Sequence, residues 1–597
     1  MTQWISRGIL FFLCLTTASA ATIQTNADNL INKIGPKMNI GAYVVDLNTG
    51  ETLYARNAAR SFIPASNMKL FSDAAALLIL GPDYRFKNQL STDAPHLEKG
   101  VLHGSVYLHL PGDPSFTSKQ LKSLLSELQT WGATTIQGNF IIVSSHAQVD
   151  PYPPGWVPHD FRYSYGASTS PVMLDENRMS VTVNPAAKPG ALALVELSND
   201  GFILENYVNT TEKPTGCGLD YQMTEDSRLI VKGCVGVGQW ANQQGLAIRN
   251  PLSYMRAQIR LKLKQLGINL QGDIKLGQAP KNTLLIATQS SKPISQLLAD
   301  TLKPSDNLYA DSLYLQAANK LNGAPLNWAE SQPVIKNFLH QQTGVNFDDA
   351  VLIDGSGLSR NDRISPIQTV GLLKFLHARF PLAYEYIAAL PIAGQDGTLQ
   401  KRLNKPTQQG FVRAKTGSMT GVASLSGYLY TANAHTLAFA IYINRQPKVN
   451  PSVSGRYLAD ALCDFFLNQK PADNRVISQT NAHSRVSFQQ RPTQAETRRN
   501  MQSKWRHVEY ALKQAFKGKP IAVLFRGDQL ILNDDAHDPN AVWTTLQNLN
   551  KKYQFSVVVK GLSGPSGQPE TPALLWIKTT NEPLKTGRIW TIRESTG

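Results

Sequence analysis

From about residue 90 to residue 285 the chain breaks into short β-like runs, among them 105–110, 140–143, 180–183 and 192–197, separated by Gly/Pro turns. On both sides the pattern is helical instead: an Ala- and Leu-rich run over 67–80 stopped by Gly81-Pro82, then 294–302, 307–321 and 366–379. The β-like stretch therefore reads as an insertion, residues 91–289, dividing a core made of 21–90 and 290–470. That core opens with a hairpin, 39–46 and 52–54, turning on Asn48-Thr49-Gly50. It closes with two strands, 424–429 and 436–444, and an amphipathic helix over 455–467. A length of 597 residues agrees with several domains, since single cores stop growing beyond about 250–300 residues. Residues 471–503, rich in Gln, Asn, Ser, Thr and Arg, read as a linker. Beyond it, patterns at 505–516, 521–525, 529–532, 541–549, 555–559, 573–578 and 588–593 predict a small α+β domain over 504–597.

Hydrophobic residues at 42% with charged residues at 17% describe a globular chain rather than a disordered one. Arg7, the apolar run Gly8 to Leu15 and Ala18-Ser19-Ala20 make residues 1–20 a signal peptide, so the mature protein is expected in the periplasm. No later apolar run has the length of about 20 residues that a membrane-spanning helix needs. In an oxidising compartment Cys217 and Cys234, which flank a hairpin pattern at 219–223 and 228–231, are expected to form a disulfide. Cys463 lies in an apolar helical pattern and reads as a buried, inert thiol. The formal net charge of +16 suits an anionic neighbourhood, wall polymer or a peripheral membrane contact, but with the basic residues dispersed it reads first as a generally solvated basic surface. Export, and basic residues dispersed without an arginine-aromatic platform, argue against nucleic acid.

Three short motifs carry the chemistry. Ser66-Asn67-Met68-Lys69 opens the first helix, and i to i+3 spacing sets Ser66 and Lys69 on one face. A helix N-terminus favours negative charge developing on the serine, and a desolvated lysine near a second cation can act as its base. Alone the motif is weak, since Ser-x-x-Lys is expected by chance about two or three times in such a chain. Ser305-Asp306-Asn307 opens another helix and has two readings, an N-cap or a hydroxyl and amide that serve a site. Lys415-Thr416-Gly417-Ser418 precedes the strand pair, where lysine and threonine can grip a carboxylate and glycine admits a close backbone. A second copy, Lys585-Thr586-Gly587, lacks that following pair and reads as coincidence. The histidines never show His-Glu-x-x-His spacing and the cysteines lack zinc-ligand spacing, so neither metal nor cofactor is expected.

The order of these motifs resembles penicillin-binding proteins and serine β-lactamases. Pro64-Ala65-Ser66-Asn67-Met68-Lys69, Gly112-Asp113-Pro114-Ser115, Asp354-Gly355-Ser356-Gly357-Leu358-Ser359-Arg360 and Leu390-Pro391-Ile392-Ala393-Gly394-Gln395-Asp396-Gly397-Thr398-Leu399 sharpen it. Over roughly 25–470 the chain resembles the low-molecular-mass class C penicillin-binding proteins, the D-alanyl-D-alanine carboxypeptidase/endopeptidase family. The resemblance implies an α/β transpeptidase-like domain split by a β-rich, two-part insertion, acting on peptidoglycan peptides and trapped covalently by β-lactams. By the same resemblance Ser66 is acylated, Lys69 is its base, Ser305 and Asn307 complete the proton network, and Lys415 with Thr416 receives the substrate carboxylate. Gly417 belongs to that strand, and the N–H groups of Ser66 and Ser418 would form the oxyanion hole. Asp160, within Gly155-Trp156-Val157-Pro158-His159-Asp160, is either a substrate contact or an insertion-loop carboxylate, and Arg360 either a substrate contact or a turn-stabilising arginine. Two other readings are a class C β-lactamase or related esterase, which usually has a tyrosine where Ser305 stands, and an inactive wall-binding scaffold, which would need none of Ser66, Lys69 and Lys415.

Overall fold

Along the strand Thr436–Asn444, alternate side chains serve two different cores. Leu437, Phe439, Ile441 and Ile443 pack with the helix over 22–34 and with Leu458, Leu462, Cys463 and Phe466 of the helix Ser452–Leu467. Ala438, Ala440 and Tyr442 face a larger helical block. Each buried Leu, Ile or Phe contributes about 1.5–3 kcal/mol, so a one-residue slip, which would exchange large residues for alanines, is strongly disfavoured. The strand lies in the middle of a five-stranded antiparallel sheet ordered Val412–Met419, Val422–Tyr430, Thr436–Asn444, Asn39–Asp46, Thr52–Arg56. Both ends of the core's sequence thus meet in one sheet, as its split organisation requires.

The helical block contains Lys69–Leu80, Ile294–Leu302, Asn307–Asn322, Trp328–Thr343, Pro366–His377 and Leu382–Ala389. Ala74, Ala75 and Ala76 let the first of these sit closely among its neighbours, buried from Lys69 to Leu77. It ends where predicted, at Gly81, whose φ of 85° is a conformation that glycine adopts without strain. Helices Trp328–Thr343 and Leu382–Ala389 were not expected from sequence. The first carries Pro333 internally and the second is a short segment that follows Pro381.

The insertion is less purely β than its texture predicts. Its five-stranded sheet runs Ile274–Leu276, Phe140–Ser144, Val106–Leu110, Lys87–Thr92, Leu284–Ser290, and the helices Ser118–Thr130 and Pro251–Gln265 share its core. Both helices carry readable starts, a Thr117/Gln120 capping box and an Asn250 cap followed by Pro251. A second β part lies inside the first in sequence. Arg178–Asn184 is flanked by Leu194–Leu197 and Asn242–Ala247, and Arg228–Gly236 by Ile203–Thr211 and Asp220–Met223, around a separate core that includes Val181, Val208 and Val231. Cys217 and Cys234 form the expected disulfide there, with Cα atoms 5.8 Å apart, and Cys463 is a buried free thiol.

This computed structural model describes residues 22–144, 150–170, 172–213, 216–444 and 452–468, plus four C-terminal strands. The chain divides into two units, Met1–Arg475 and Val476–Gly597. Within the second, the antiparallel order is Ile521–Arg526, Gln529–Asp534, Arg588–Glu594, Phe555–Gly561. The signal peptide, the linker, the patterns at 505–516, 541–549 and 573–578, and Lys585-Thr586-Gly587 lie outside the described residues. No described helix is long and apolar enough to cross a membrane.

Candidate active site

Ser66 does not sit in the α-helix itself but in a tighter 3-10 turn, Ala65–Met68, that leads into it. Ala65 has a φ of 47°, a strained value for a residue with a Cβ. The turn is held from two sides by glycines. A Cβ on Gly357 would lie 2.0 Å from the Ala65 carbonyl oxygen, and one on Gly417 would lie 2.8 Å from that of Pro64 and 2.1 Å from Ser424 Oγ. Gly417 therefore admits the chain's own serine turn, whereas the sequence suggested room for a substrate backbone. Asn67 fastens the same turn to the sheet, donating from Nδ2 to Ser424 Oγ at 2.6 Å and to the Lys415 carbonyl at 3.3 Å.

Lys69, one residue beyond the turn, is fully buried. Its Nζ donates to Asn307 Oδ1 and to the Ser356 carbonyl, both at 2.6 Å, and lies 3.2 Å from Ser66 Oγ. Three acceptors match the three protons of an ammonium. In the neutral amine one position becomes a lone pair, and the longest contact, to Ser66, is the one that can reverse to take the hydroxyl proton. Burial lowers the Lys69 pKa, against the opposing charges of Asp311, Asp354, Asp306 and Asp73.

Ser305-Asp306-Asn307 contains the expected N-cap, and its other two residues contact the two lysines. Asp306 is the N-cap of Asn307–Asn322, accepting from the Tyr309 N–H at 3.2 Å, and it also pairs with Arg178 of the insertion. Ser305, in a left-handed conformation with φ 67°, accepts from Lys415 Nζ at 2.7 Å, while Asn307 holds Lys69. The motif thus joins the two lysines. Asn307 Nδ2 donates in addition to the Tyr165 carbonyl of the insertion at 2.8 Å.

Lys415 lies on Val412–Met419 and is fully buried, its Nζ donating to Ser305 Oγ and to the Thr416 carbonyl at 2.9 Å. Burial, then the charge of Lys69, push its pKa well below an ordinary lysine's, with Asp73 opposing. Thr416 Oγ1 donates to Thr398 Oγ1 at 2.7 Å, and Ser418 is exposed near the end of the strand.

Asp160 and Arg360 make no hydrogen bond to Ser66, Lys69 or Lys415, although Asp160 and Asn307 share Tyr165 as a partner. Asp160 accepts from the Tyr165 hydroxyl at 2.8 Å and lies 3.7 Å from His159 Nδ1. Arg360 donates to the Thr420 carbonyl at 3.1 Å. Sequence reasoning assigned no role to Asp354, whose carboxylate accepts from Trp156 Nε1, Ser356 Oγ and the N–H groups of Gly357 and Ser359. Nor did it assign one to Asp311, which accepts from the Gly355 N–H at 2.8 Å. Together they shape the loop that presents the Ser356 carbonyl to Lys69.

A profile of the D-Ala-D-Ala carboxypeptidase 3 (S13) family matches residues 23–458. The chain is 29% identical over 446 residues to the D-alanyl-D-alanine carboxypeptidase DacB of Haemophilus influenzae, covering 74% of this chain and 92% of that one. It is also 29% identical over 454 residues to a D-alanyl-D-alanine carboxypeptidase of an Actinomadura species, covering 73% and 83%. The crystal structure of penicillin binding protein 4 from Haemophilus influenzae superposes with a TM-score of 0.68 at 27% identity, over 74% of this chain and all of that one. The chain belongs to the D-Ala-D-Ala carboxypeptidase 3 (S13) family, and it is a serine-type DD-peptidase that works through an acyl-enzyme.

Proposed function

We propose that Ser66 is the nucleophile and Lys69 its base; the observation carrying this is the 3.2 Å approach of a buried lysine amine to the serine hydroxyl. Neutral Lys69 takes the Ser66 proton as Oγ attacks the penultimate D-alanyl carbonyl. The N–H groups of Ser66 and Ser418 stabilise the oxyanion, a contribution of about 2.7–4 kcal/mol per donor elsewhere. The C–N bond breaks, the leaving amine takes the proton that Lys69, held in place by Asn307, received from Ser66, and water then hydrolyses the ester, returning a proton to Ser66 Oγ as the acid is released. Lys415 and Thr416 receive the substrate carboxylate, which would be the first anion at bonding distance from the Lys415 amine. A β-lactam follows the same first step and stays attached.

Terminal D-alanine and a cross-linking D-amino residue present Ser66 with the same carbonyl and differ only in the amine that leaves. Mass spectrometry of muropeptides before and after digestion separates loss of terminal D-alanine from loss of cross-links. Labelling with a fluorescent penicillin tests the assignment itself. Wild type should label and Ser66→Ala should not, while remaining folded; a covalent adduct on the variant would place the nucleophile elsewhere.

Action in the periplasm follows from the signal peptide read over 1–20. The C-terminal segment, with Lys504, Arg506, Lys513, Lys517 and Lys519 near its start, is proposed to add electrostatic attraction to the wall or to an anionic membrane surface.

A further inference from the structure

We propose that the hairpin at the start of the insertion binds a zinc ion through His96, Glu98 and His103. Among the described residues these are the one group of three potential metal donors whose ligand atoms all lie within 4.8 Å of one another. Strand pairing accounts for the convergence. Leu97–Glu98 and Val101–Leu102 form a minimal antiparallel hairpin in the registers Leu97↔Leu102 and Glu98↔Val101, turning on Lys99 and Gly100, both with positive φ. The His103 N–H donates to the His96 carbonyl at 3.3 Å, which extends the pairing by one step. Residues directly opposite, and residues two apart on one strand, share a face. His96, Glu98 and His103 therefore lie together on one face, while Leu102 is buried in the insertion core on the other and Leu97 packs against that core.

The imidazoles of His96 and His103 meet with centroids 4.7 Å apart. His103 Nδ1 lies 2.9 Å from Gln137 Oε1, an atom that only accepts, so Nδ1 carries the proton and the lone pair is on Nε2. The neighbouring strand makes this bond possible: Val101–Leu102 pairs in parallel with Thr135–Ile136, which places Gln137 beside His103. Fixing a histidine's tautomer through its other nitrogen is how neighbouring residues prepare metal ligands. Two imidazoles and one carboxylate form a borderline-soft donor set suited to Zn2+, with a fourth position left for water, whereas Mg2+ and Ca2+ prefer all-oxygen sites. Bound there, the ion would clip a two-residue edge strand to its neighbour. Lys99, 3.7 Å from Glu98 and largely exposed, is the cation it would displace.

The test uses the mature full-length chain without a histidine tag, titrated with Zn2+ against a chromophoric chelator, with thermal unfolding and penicillin acylation measured in parallel. We expect one Zn2+ per chain and a raised Tm, with no comparable response to Mg2+ or Ca2+. Gln137→Ala should weaken binding by about 10–100-fold. His96→Ala and His103→Ala should weaken it more than that, with penicillin acylation at the wild-type rate showing that each variant is folded. Should a histidine variant fail to fold, Gln137→Ala and Glu98→Gln carry the test. Absence of stoichiometric Zn2+ binding by wild type, undiminished binding by His96→Ala with His103→Ala, or an equal response to Mg2+ would each overturn the proposal.

Discussion

The two walls that flank the Ser66 turn are built alike and charged differently. Each offers a glycine against the turn, Gly357 on one side and Gly417 on the other, and each buries a lysine completely. On the Gly357 side Lys69 is surrounded by Asp311, Asp354, Asp306 and Asp73, which partly offset the effect of burial. On the Gly417 side the Lys415 amine bonds only neutral oxygens, and the neighbouring charge of Lys69 adds to burial. The contrast teaches a division of labour. A lysine whose three protons all meet protein acceptors is suited to pass one of them, and one that hydrogen-bonds only two neutral oxygens is suited to attract an anion.

Exchanging the roles would break this comparison. Lys69→Ala should slow penicillin acylation by about 10^2–10^4-fold, the usual scale for a lost general base, and Lys69→Arg should not restore it because a guanidinium stays protonated. In wild type the acylation rate should rise with pH, because the protonated amine cannot accept the serine proton, and burial places that limb below the ordinary lysine range. A pH-independent wild-type rate, measured by stopped flow, would count against Lys69 as the base.

Lys415→Ala should reduce acylation by about 10–100-fold for carboxylate-bearing substrates, the range of one lost charge-assisted hydrogen bond, and less for amidated analogues. Equal losses on both substrates would remove the carboxylate role. A sharper version uses Ser66→Ala protein and calorimetry in buffers of different ionisation heat. Because burial lowers the Lys415 pKa, arrival of a carboxylate should raise it again, and at a pH near the lowered value this gives proton uptake that Lys415→Ala abolishes.

Gly417→Ala and Gly357→Ala test the two supports. Each should destabilise the protein by about 1–3 kcal/mol through overpacking, with the larger effect at Gly357, whose φ of 77° adds strain. Thermal unfolding checks this, and a neutral Gly357→Ala would show that the turn is not clamped. The smallest effects belong to the second unit. Lys585→Ala, or truncation from about residue 480, should leave penicillin labelling unchanged, since the final core helix ends at Leu467. Truncation should weaken pelleting with isolated sacculi, most visibly at low salt.

Sequence alone determined whatever depends on near neighbours in the chain. Helix Ile294–Leu302 and strand Thr436–Asn444 fall on the residues expected for them, and Ser66 with Lys69 is a spacing motif whose partners lie one turn apart. The helices Ser118–Thr130 and Pro251–Gln265 were missed although their caps were written locally, because the surrounding β-like texture outweighed them. Tertiary structure alone decided which distant groups meet. The Ser356 carbonyl reaches Lys69 across 287 positions and Lys415 reaches Ser305 across 110, and no periodicity encodes either approach. The same holds for Gly357 and Gly417: that each must be glycine follows from backbone brought against it by the fold, and for His103, whose tautomer is set by Gln137 just past a neighbouring strand. Local propensity and periodicity act over a few residues, whereas desolvation, charge and steric exclusion act through space, and the chemistry of this site depends on the second group.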